Sequence, residues 1–399
     1  MDSIFSFIEH YKILLGSFPL VIQIAIVVIA LNVMVTLSLF SITFFMRRKR
    51  ESEDRMIKKY RPKVEALILD VLNSNEIYSE QEIDNLYFDK ISKLSKKSYI
   101  TIIPVMEDLV HKTPSLMNSK NYKALIRGLK IDEFLEKRIS YSNTNKRMRA
   151  FQTLSRLNIT VSDSKILPHT YSNDDRLRKE SRTSYVGISK NDPFKFFDKG
   201  NTDLNYWDQI ALLKQFEAHH GDNLPNFSKW IKYSDDNSQI IFLVRAVTYF
   251  NQVESADVLV DLLKTDNHKV RKVAIIALGR MGIVSAEEEL KKIYHTQPID
   301  CQDAIIEAIA YIGSGNSLEF LKKAFFDANN PDAKRLVAEA IYIYGEEGKK
   351  CFEELSASCT VCDDFSHLIF EHVRNPLIPS ALKGLVVRQK EKELDVILS

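Results

Sequence analysis

The sequence predicts an all-α chain, an α-solenoid of stacked antiparallel helix pairs preceded by one transmembrane helix, on three observations. Ala246, Ala277, Ala308 and Ala340 recur at intervals of 31, 31 and 32 residues, and each is followed by an aliphatic residue, Val247, Leu278, Ile309 or Ile341. The run from Leu20 to Met46 holds no charged residue and is dense in Ile, Val, Leu and Phe. Only 12 Gly and 11 Pro occur in 399 residues, as expected of a chain that is mostly helix, since both residues interrupt one.

Residues 1–18 read as a short extracytoplasmic N-terminus and 19–46 as the transmembrane helix. At about 1.5 Å per residue the uncharged run reaches roughly 40 Å, enough for a hydrocarbon core of about 30 Å. Gln23, Asn32, Thr36, Ser38, Ser41 and Thr43 dilute it without breaking it. A cleaved signal peptide would carry a shorter apolar region followed by a small-residue cleavage site. Here Arg47, Arg48, Lys49 and Arg50 follow instead, which marks an uncleaved anchor. The positive-inside rule then puts all later residues in the cytoplasm, so the expectation is a single-pass membrane protein, in the inner membrane of a bacterium. Residues 47–63 form a basic juxtamembrane segment in which Arg55, Lys58, Lys59, Arg61 and Lys63 continue the charge. Each such residue gains about 1 kcal/mol beside an anionic leaflet, which makes Arg47, Arg48, Lys49 and Arg50 the membrane-surface candidates; a plain stop-transfer signal is the simpler reading.

Residues 64–144 are expected to be an N-terminal helical cap or linker. Arg61-Pro62 suggests a helix start or kink, and Val64, Leu67, Ile68, Val71 and Leu72 make an apolar stripe at helical spacing. Ser79 with Glu80 and Glu82 predicts a helix N-terminus. Further helices are expected over 100–111, 119–129 and 131–139. Residues 145–235 read as degenerate helical repeats. In them Ile166-Leu167 forms a short helix ended by Pro168, Asn173 to Arg178 opens a capped helix, and another helix starts near Asp203.

Residues 236–355 are the regular repeats. Phe250, Met281, Ile312 and Tyr344 keep the phase of the alanines and are followed by Asn251, Gly282, Gly313 and Gly345. Gly or Asn at that place suits the left-handed conformation that ends a helix. Leu259, Leu290 and Leu321, again 31 apart, mark a second helix in each unit. One such helix pair cannot bury its apolar face alone, so stacking on neighbours is what folds it. Residues 356–399 are expected to be a C-terminal helical cap, with a last helical segment from Asp363 to Val373.

The block from Asp266 to Gly279 resembles a HEAT repeat, whose pattern is Asp-x-x-Val-Arg-x-x-Ala followed by Ala-Leu-Gly. The matching residues are Asp266, Val270, Arg271, Ala274, Ala277, Leu278 and Gly279. The period of about 31 is similar to that of the short HEAT-like repeats of phycobilisome lyases. The resemblance implies that Asp266 caps the first turn or pairs with an arginine of the adjacent repeat, with Arg271 as its counterpart, and that the alanines allow close helix approach. It makes Asp266, Arg271, Ala246, Ala277, Ala308 and Ala340 the repeat-stacking residues. The following units depart from it, with Cys301-Gln302 and Ala333-Lys334 where Val-Arg is expected.

Lys and Arg number 55 against 53 Asp and Glu, a net charge of +2, so no excess argues for a nucleic-acid partner. The four cysteines all lie beyond residue 300, and on the cytoplasmic side they imply no disulfide framework. Cys359 and Cys362 with His367 and His372 approach zinc-knuckle spacing. The apolar pattern of Phe365, Leu368, Ile369 and Val373 runs through those histidines, however, and on one helix they would point about 140° apart, so no metal site is expected. His219-His220 reads as a helix C-terminus, and Phe194, Phe196, Phe197, Tyr206, Trp207, Trp230 and Tyr233 read mainly as core. No phosphate loop, nucleophile elbow or metalloprotease motif occurs, so neither catalytic residues nor a cofactor are expected. Helical solenoids offer long surfaces to partners. The expected function is a membrane-anchored protein-interaction scaffold holding a membrane-associated protein partner at the bilayer, as an accessory of an envelope glycosyltransferase or signalling machine. Two alternatives stand beside it: an enzyme or cofactor-binding protein, lyase-like or for nucleic-acid repair, on a helical-repeat scaffold, and a lipid-sensing membrane adaptor.

Overall fold

The computed structural model describes residues 18–91, 99–199, 204–221, 223–359, 364–375, 377–378 and 382. The fold is all-helical, with 80% helix, and the β-pairing among the described residues is one isolated bridge between Val161 and Ser189. Two compact units are formed, one up to Phe134 and one from Leu135 onward.

In the first unit, α1 (Leu20–Asn73) is a single 54-residue helix. Segments expected to be a membrane span, a basic strip and the start of a cap are therefore turns of one rod, about 80 Å long at 1.5 Å per residue. Its first part leaves Leu20, Val21, Phe40 and Phe45 69 to 76% exposed. Its last part buries Val64, Leu67, Ile68, Val71 and Leu72, the stripe that the spacing indicated. Pro62 neither starts nor ends the helix. Proline forfeits one backbone hydrogen bond and crowds the preceding turn; here ion pairs of Arg61 with Glu65 and Asp108 hold the flanking turn, and the buried stripe follows at once.

The stripe packs on α3 (Tyr99–Lys112), which buries Ile102, Val105, Met106 and Leu109. Between them α2 (Glu80–Ile91) starts with a capping box: Glu82 accepts from the Ser79 amide at 2.7 Å, and Ser79 Oγ accepts from the Glu82 amide at 3.3 Å. The C-terminal carbonyls of α1 have side-chain partners. Ser119 Oγ donates to Leu72 O at 2.7 Å, and Asn121 Nδ2 donates to Val71 O at 2.9 Å and Glu76 O at 2.8 Å. Asn121, at the start of α4 (Tyr122–Gly128), is fully buried, so its amide closes the helix end where orphan carbonyls would otherwise be left. The boundary between the units falls inside α5 (Ile131–Tyr141).

In the second unit α6 (Thr144–Arg156), capped by Asn143, packs on α8 (Asp175–Ile188), capped by Asp174. Between them lie the short α7 (Asp163–Ile166) and a 3₁₀ turn, Leu167–Tyr171. Pro168 was expected to end the helix but sits in the first turn of this 3₁₀ segment, where its missing N–H costs nothing. Then follow α9 (Tyr206–His220) and α10 (Ser228–Tyr233). Phe194, Phe196, Phe197, Phe216, Phe227, Trp230 and Phe242 interlock here with ring centroids 4.3 to 6.5 Å apart. These rings lie mainly in short helices and turns, outside the phase kept by the recurring alanines.

The regular stretch alternates long and short helices. The long ones, α11 (Asn237–Tyr249), α13 (His268–Arg280), α15 (Ile299–Ile312) and α17 (Pro331–Ile343), pack one on the next. Between them lie α12 (Ala256–Leu262), α14 (Glu287–Ile293) and α16 (Leu318–Asp327). The four recurring alanines are 0 to 1% exposed, and Leu259, Leu290 and Leu321 are 0% exposed. Asn251, Gly282, Gly313 and Gly345 all have positive φ, 50° to 79°, so each unit turns through the same left-handed residue. The last helices among the described residues are α18 (Gly345–Cys359) and α19 (Asp364–Arg374), both packed on α17.

Candidate interaction surfaces

The basic candidates sit mid-way along α1. Arg47, Arg48, Lys49 and Arg50 are all exposed, and because consecutive helical residues are about 100° apart they encircle the rod rather than line one face. Arg47 pairs with Glu51 at 3.0 Å, and the Arg48 guanidinium lies 4.9 Å from the centroid of the Phe44 ring. The cationic collar thus begins where the apolar turns stop.

The stacking residues play two different parts. Ala308 lies against Gly279 so closely that a Cβ on Gly279 would be 2.5 Å from Ala308 Cα. Asp266 does not cap α13. Its side chain is exposed, and Asn267 accepts from the amides of Lys269 at 3.0 Å and Val270 at 3.3 Å. Both residue types can cap, but the one whose backbone is extended at the helix entrance does so, and that is Asn267. Among the described residues Arg271 takes no carboxylate partner. It donates to Thr265 O at 2.7 Å, to Asp266 O at 3.0 Å and to Gln297 Oε1 at 2.8 Å. That last bond ties it to the following unit.

A polar ladder that the sequence did not suggest crosses the long helices. Gln152 donates to Glu180 at 3.2 Å, Lys179 pairs with Asp208 at 2.9 Å, Arg245 donates to Gln209 at 2.8 Å and the Tyr249 hydroxyl to Glu217 at 3.1 Å. Further along, the Arg280 guanidinium lies close to Tyr311 and Glu307. Burial pushes the Glu307 carboxyl upward, with Arg280 pulling it back, and burial beside Asp300 does the same to Asp303. Arg245, Glu307 and Glu339 each directly precede a recurring alanine, and Tyr249, Arg280 and Tyr311 each lie three residues beyond one. Aligning the repeats at those two offsets would have revealed the stripe.

A groove of about 670 Å³ is lined by Phe197, Asp198, Lys229, Trp230, Tyr233 and Asp235, among others. Most of its polar groups are engaged within the fold. Trp230 Nε1 donates to Asp198 at 2.8 Å, Gln239 donates to Phe197 O at 2.8 Å, Asp236 caps α11, and the Lys229 ammonium sits 5.2 Å from the centroid of the Trp230 ring. Tyr233 stands 82% exposed at the rim and Trp207 is 74% exposed, so these two expected core residues are surface residues. Beneath this region Arg182 is buried and donates to Thr170 O at 2.9 Å; burial brings its guanidinium down to about 10, against the pull of Asp208 and Asp236.

No protein-family model matches this chain, and no curated protein matches it either. Among the described residues no three His, Cys, Asp or Glu side chains converge as metal ligands. On α19 His367 is exposed and His372 half-buried, while the side chains of Cys359 and Cys362 lie outside the described residues. His219 and His220 do end α9. His220 Nε2 is 3.0 Å from Val186 O, and the His219 ring covers Gly187, so both are engaged in packing. Cys301 and Cys351 are buried, and burial raises both thiols, which leaves them poor nucleophiles.

Proposed function

We propose that this chain is a membrane-anchored scaffold: a single-pass protein whose α1 crosses the bilayer through residues 20–46, and whose HEAT-like α-solenoid docks a membrane-associated protein on the cytoplasmic face. The observation that carries this reading is the continuity of α1. Apolar turns that no other described residue covers run, without a break, through a cationic collar into turns buried in a folded unit. An isolated apolar helix of that length gains nothing in water, whereas hydrocarbon satisfies it and the collar marks the cytoplasmic border. Confinement to the membrane raises the effective concentration of a client there without any new contact. The half-buried polar ladder of the long helices suits recognition of a protein surface, since its charges are positioned by neighbours before a partner arrives.

Proximity labelling from a tag at Ser399 in native membranes tests this, with residues 1–63 alone as control. Reproducible labelling of one membrane-associated machine by the whole chain but not by the control is the expected result. Equal labelling by both would defeat the scaffold reading.

A further inference from the structure

We propose that Asn32 pairs with Asn32 of a second copy of this chain, so that the protein is a parallel dimer within the bilayer. The inference rests on reading α1 as a membrane span. Asn32 lies at the middle of the uncharged run from Leu20 to Met46, the depth at which an unsatisfied amide costs most. The other hydrogen-bonding side chains on its face are satisfied within the helix. Thr36 Oγ1 reaches Asn32 O at 2.7 Å and Val33 O at 2.9 Å, and Thr43 Oγ1 donates to Leu39 O at 2.8 Å. Asn32 spends one N–H on Val28 O at 3.0 Å. An amide has two donor hydrogens and an acceptor oxygen, so its second N–H and its Oδ1 are left facing outward.

The surrounding pattern is that of a seam. Ala25, Ile29, Asn32, Thr36, Leu39, Thr43 and Met46 alternate at spacings of four and three residues, the period that keeps two supercoiled helices in register. Gln23 and Ser41 lie about 180° away. A second copy inserts in the same orientation and brings its own Asn32 to the same depth. Two amides facing each other across a two-fold axis are self-complementary: each donates its free N–H to the Oδ1 of the other, which an apolar neighbour cannot do.

The test uses the full chain carrying a donor or acceptor fluorescent protein at its C-terminus, reconstituted in phosphatidylcholine vesicles, with energy transfer followed as lipid is added. The unsubstituted protein should exceed the transfer expected of random proximity. Asn32→Leu should weaken association roughly five- to thirty-fold, while Asn32→Gln keeps the amide and most of the transfer, and Ser41→Leu on the opposite face changes nothing. Identical dilution curves for Asn32→Leu and the unsubstituted chain would overturn the pairing, as would a loss from Ser41→Leu equal to that from Asn32→Leu. Flotation of the same vesicles reports separately on the underlying reading: protein that fails to float with lipid refutes the span itself.

Discussion

Gly279 and Ala308 meet where α13 crosses α15, and a Cβ on Gly279 would fall 2.5 Å from Ala308 Cα and 2.7 Å from its Cβ. The obstacle is backbone, which cannot swing aside. Gly279→Ala should therefore destabilise the second unit by about 1–3 kcal/mol through overpacking, although alanine is the better helix former. Gly282, with φ of +64° and open space around it, is the contrast. There Gly282→Ala should cost about 1 kcal/mol from the left-handed backbone alone. Urea unfolding of the detergent-solubilised protein measures both, and a neutral Gly279→Ala would show that the helices are free to separate.

The Tyr344 hydroxyl donates to Glu287 Oε1 at 3.1 Å and accepts from the Ser317 amide at 3.1 Å, and Ser317 Oγ also donates to Glu287. Glu287 and Ser317 are buried. Tyr344→Phe would keep the ring but strand the Ser317 amide and leave the Glu287 carboxylate with Ser317 Oγ as its remaining donor in the cluster, at a cost of about 1–3 kcal/mol. Phe250, Met281 and Ile312 occupy the same phase in other units, so an apolar residue is sterically acceptable there. Equal unfolding midpoints for Tyr344→Phe and the unsubstituted chain would mean that water replaces the hydroxyl.

His169 stacks edge-on against Phe151 at 5.7 Å, and burial, then the charge of Arg147, hold its imidazole below the usual histidine value. The unfolded chain therefore takes up this proton first as pH falls. The stability linked to His169 is complete above about 6.5 and is lost as pH drops through the folded-state value. Denaturation midpoints taken between pH 7.5 and 5 should decline, and His169→Gln should flatten the decline. An unchanged slope would assign the acid sensitivity to other groups.

Replacing Arg47, Arg48, Lys49 and Arg50 together by Glu removes the cationic collar. If α1 spans the bilayer as proposed, orientation follows the Lys and Arg beside the span: a C-terminal tag should be protected from external protease in the unsubstituted protein and become cleavable in part of the population after charge reversal. Full protection after charge reversal would show that other residues set the orientation.

Much of the architecture was legible because it repeats. A helix that must end at the same place in every unit needs Gly or Asn there, and a helix pressed against its neighbours needs a small residue at one phase; both requirements leave periodic marks. The apolar stripe from Val64 to Leu72, the cap Ser79 and the capped helix start between Asn173 and Arg178 were readable for the same reason, since helix periodicity and caps are local. Contacts between distant residues that do not recur from unit to unit leave no such mark. Nothing local distinguishes Asn267 from Asp266 as the cap, or shows that Pro62 lies within an unbroken helix. The burial of Asn121 against the end of α1, 50 residues before it, was equally hidden.

The sequence by itself determined the helical class, the phase of the repeats, the residues that turn the chain and the uncharged apolar run, because these depend on side-chain periodicity and on backbone preferences within one or two turns. Tertiary structure alone decided which polar groups meet. The Tyr344, Ser317 and Glu287 cluster, the ladder from Gln152 to Tyr249 and the contact of Gly279 with Ala308 all join residues about 30 or more apart. Their energies come from burial and hydrogen-bond geometry, which exist only after the helices have packed.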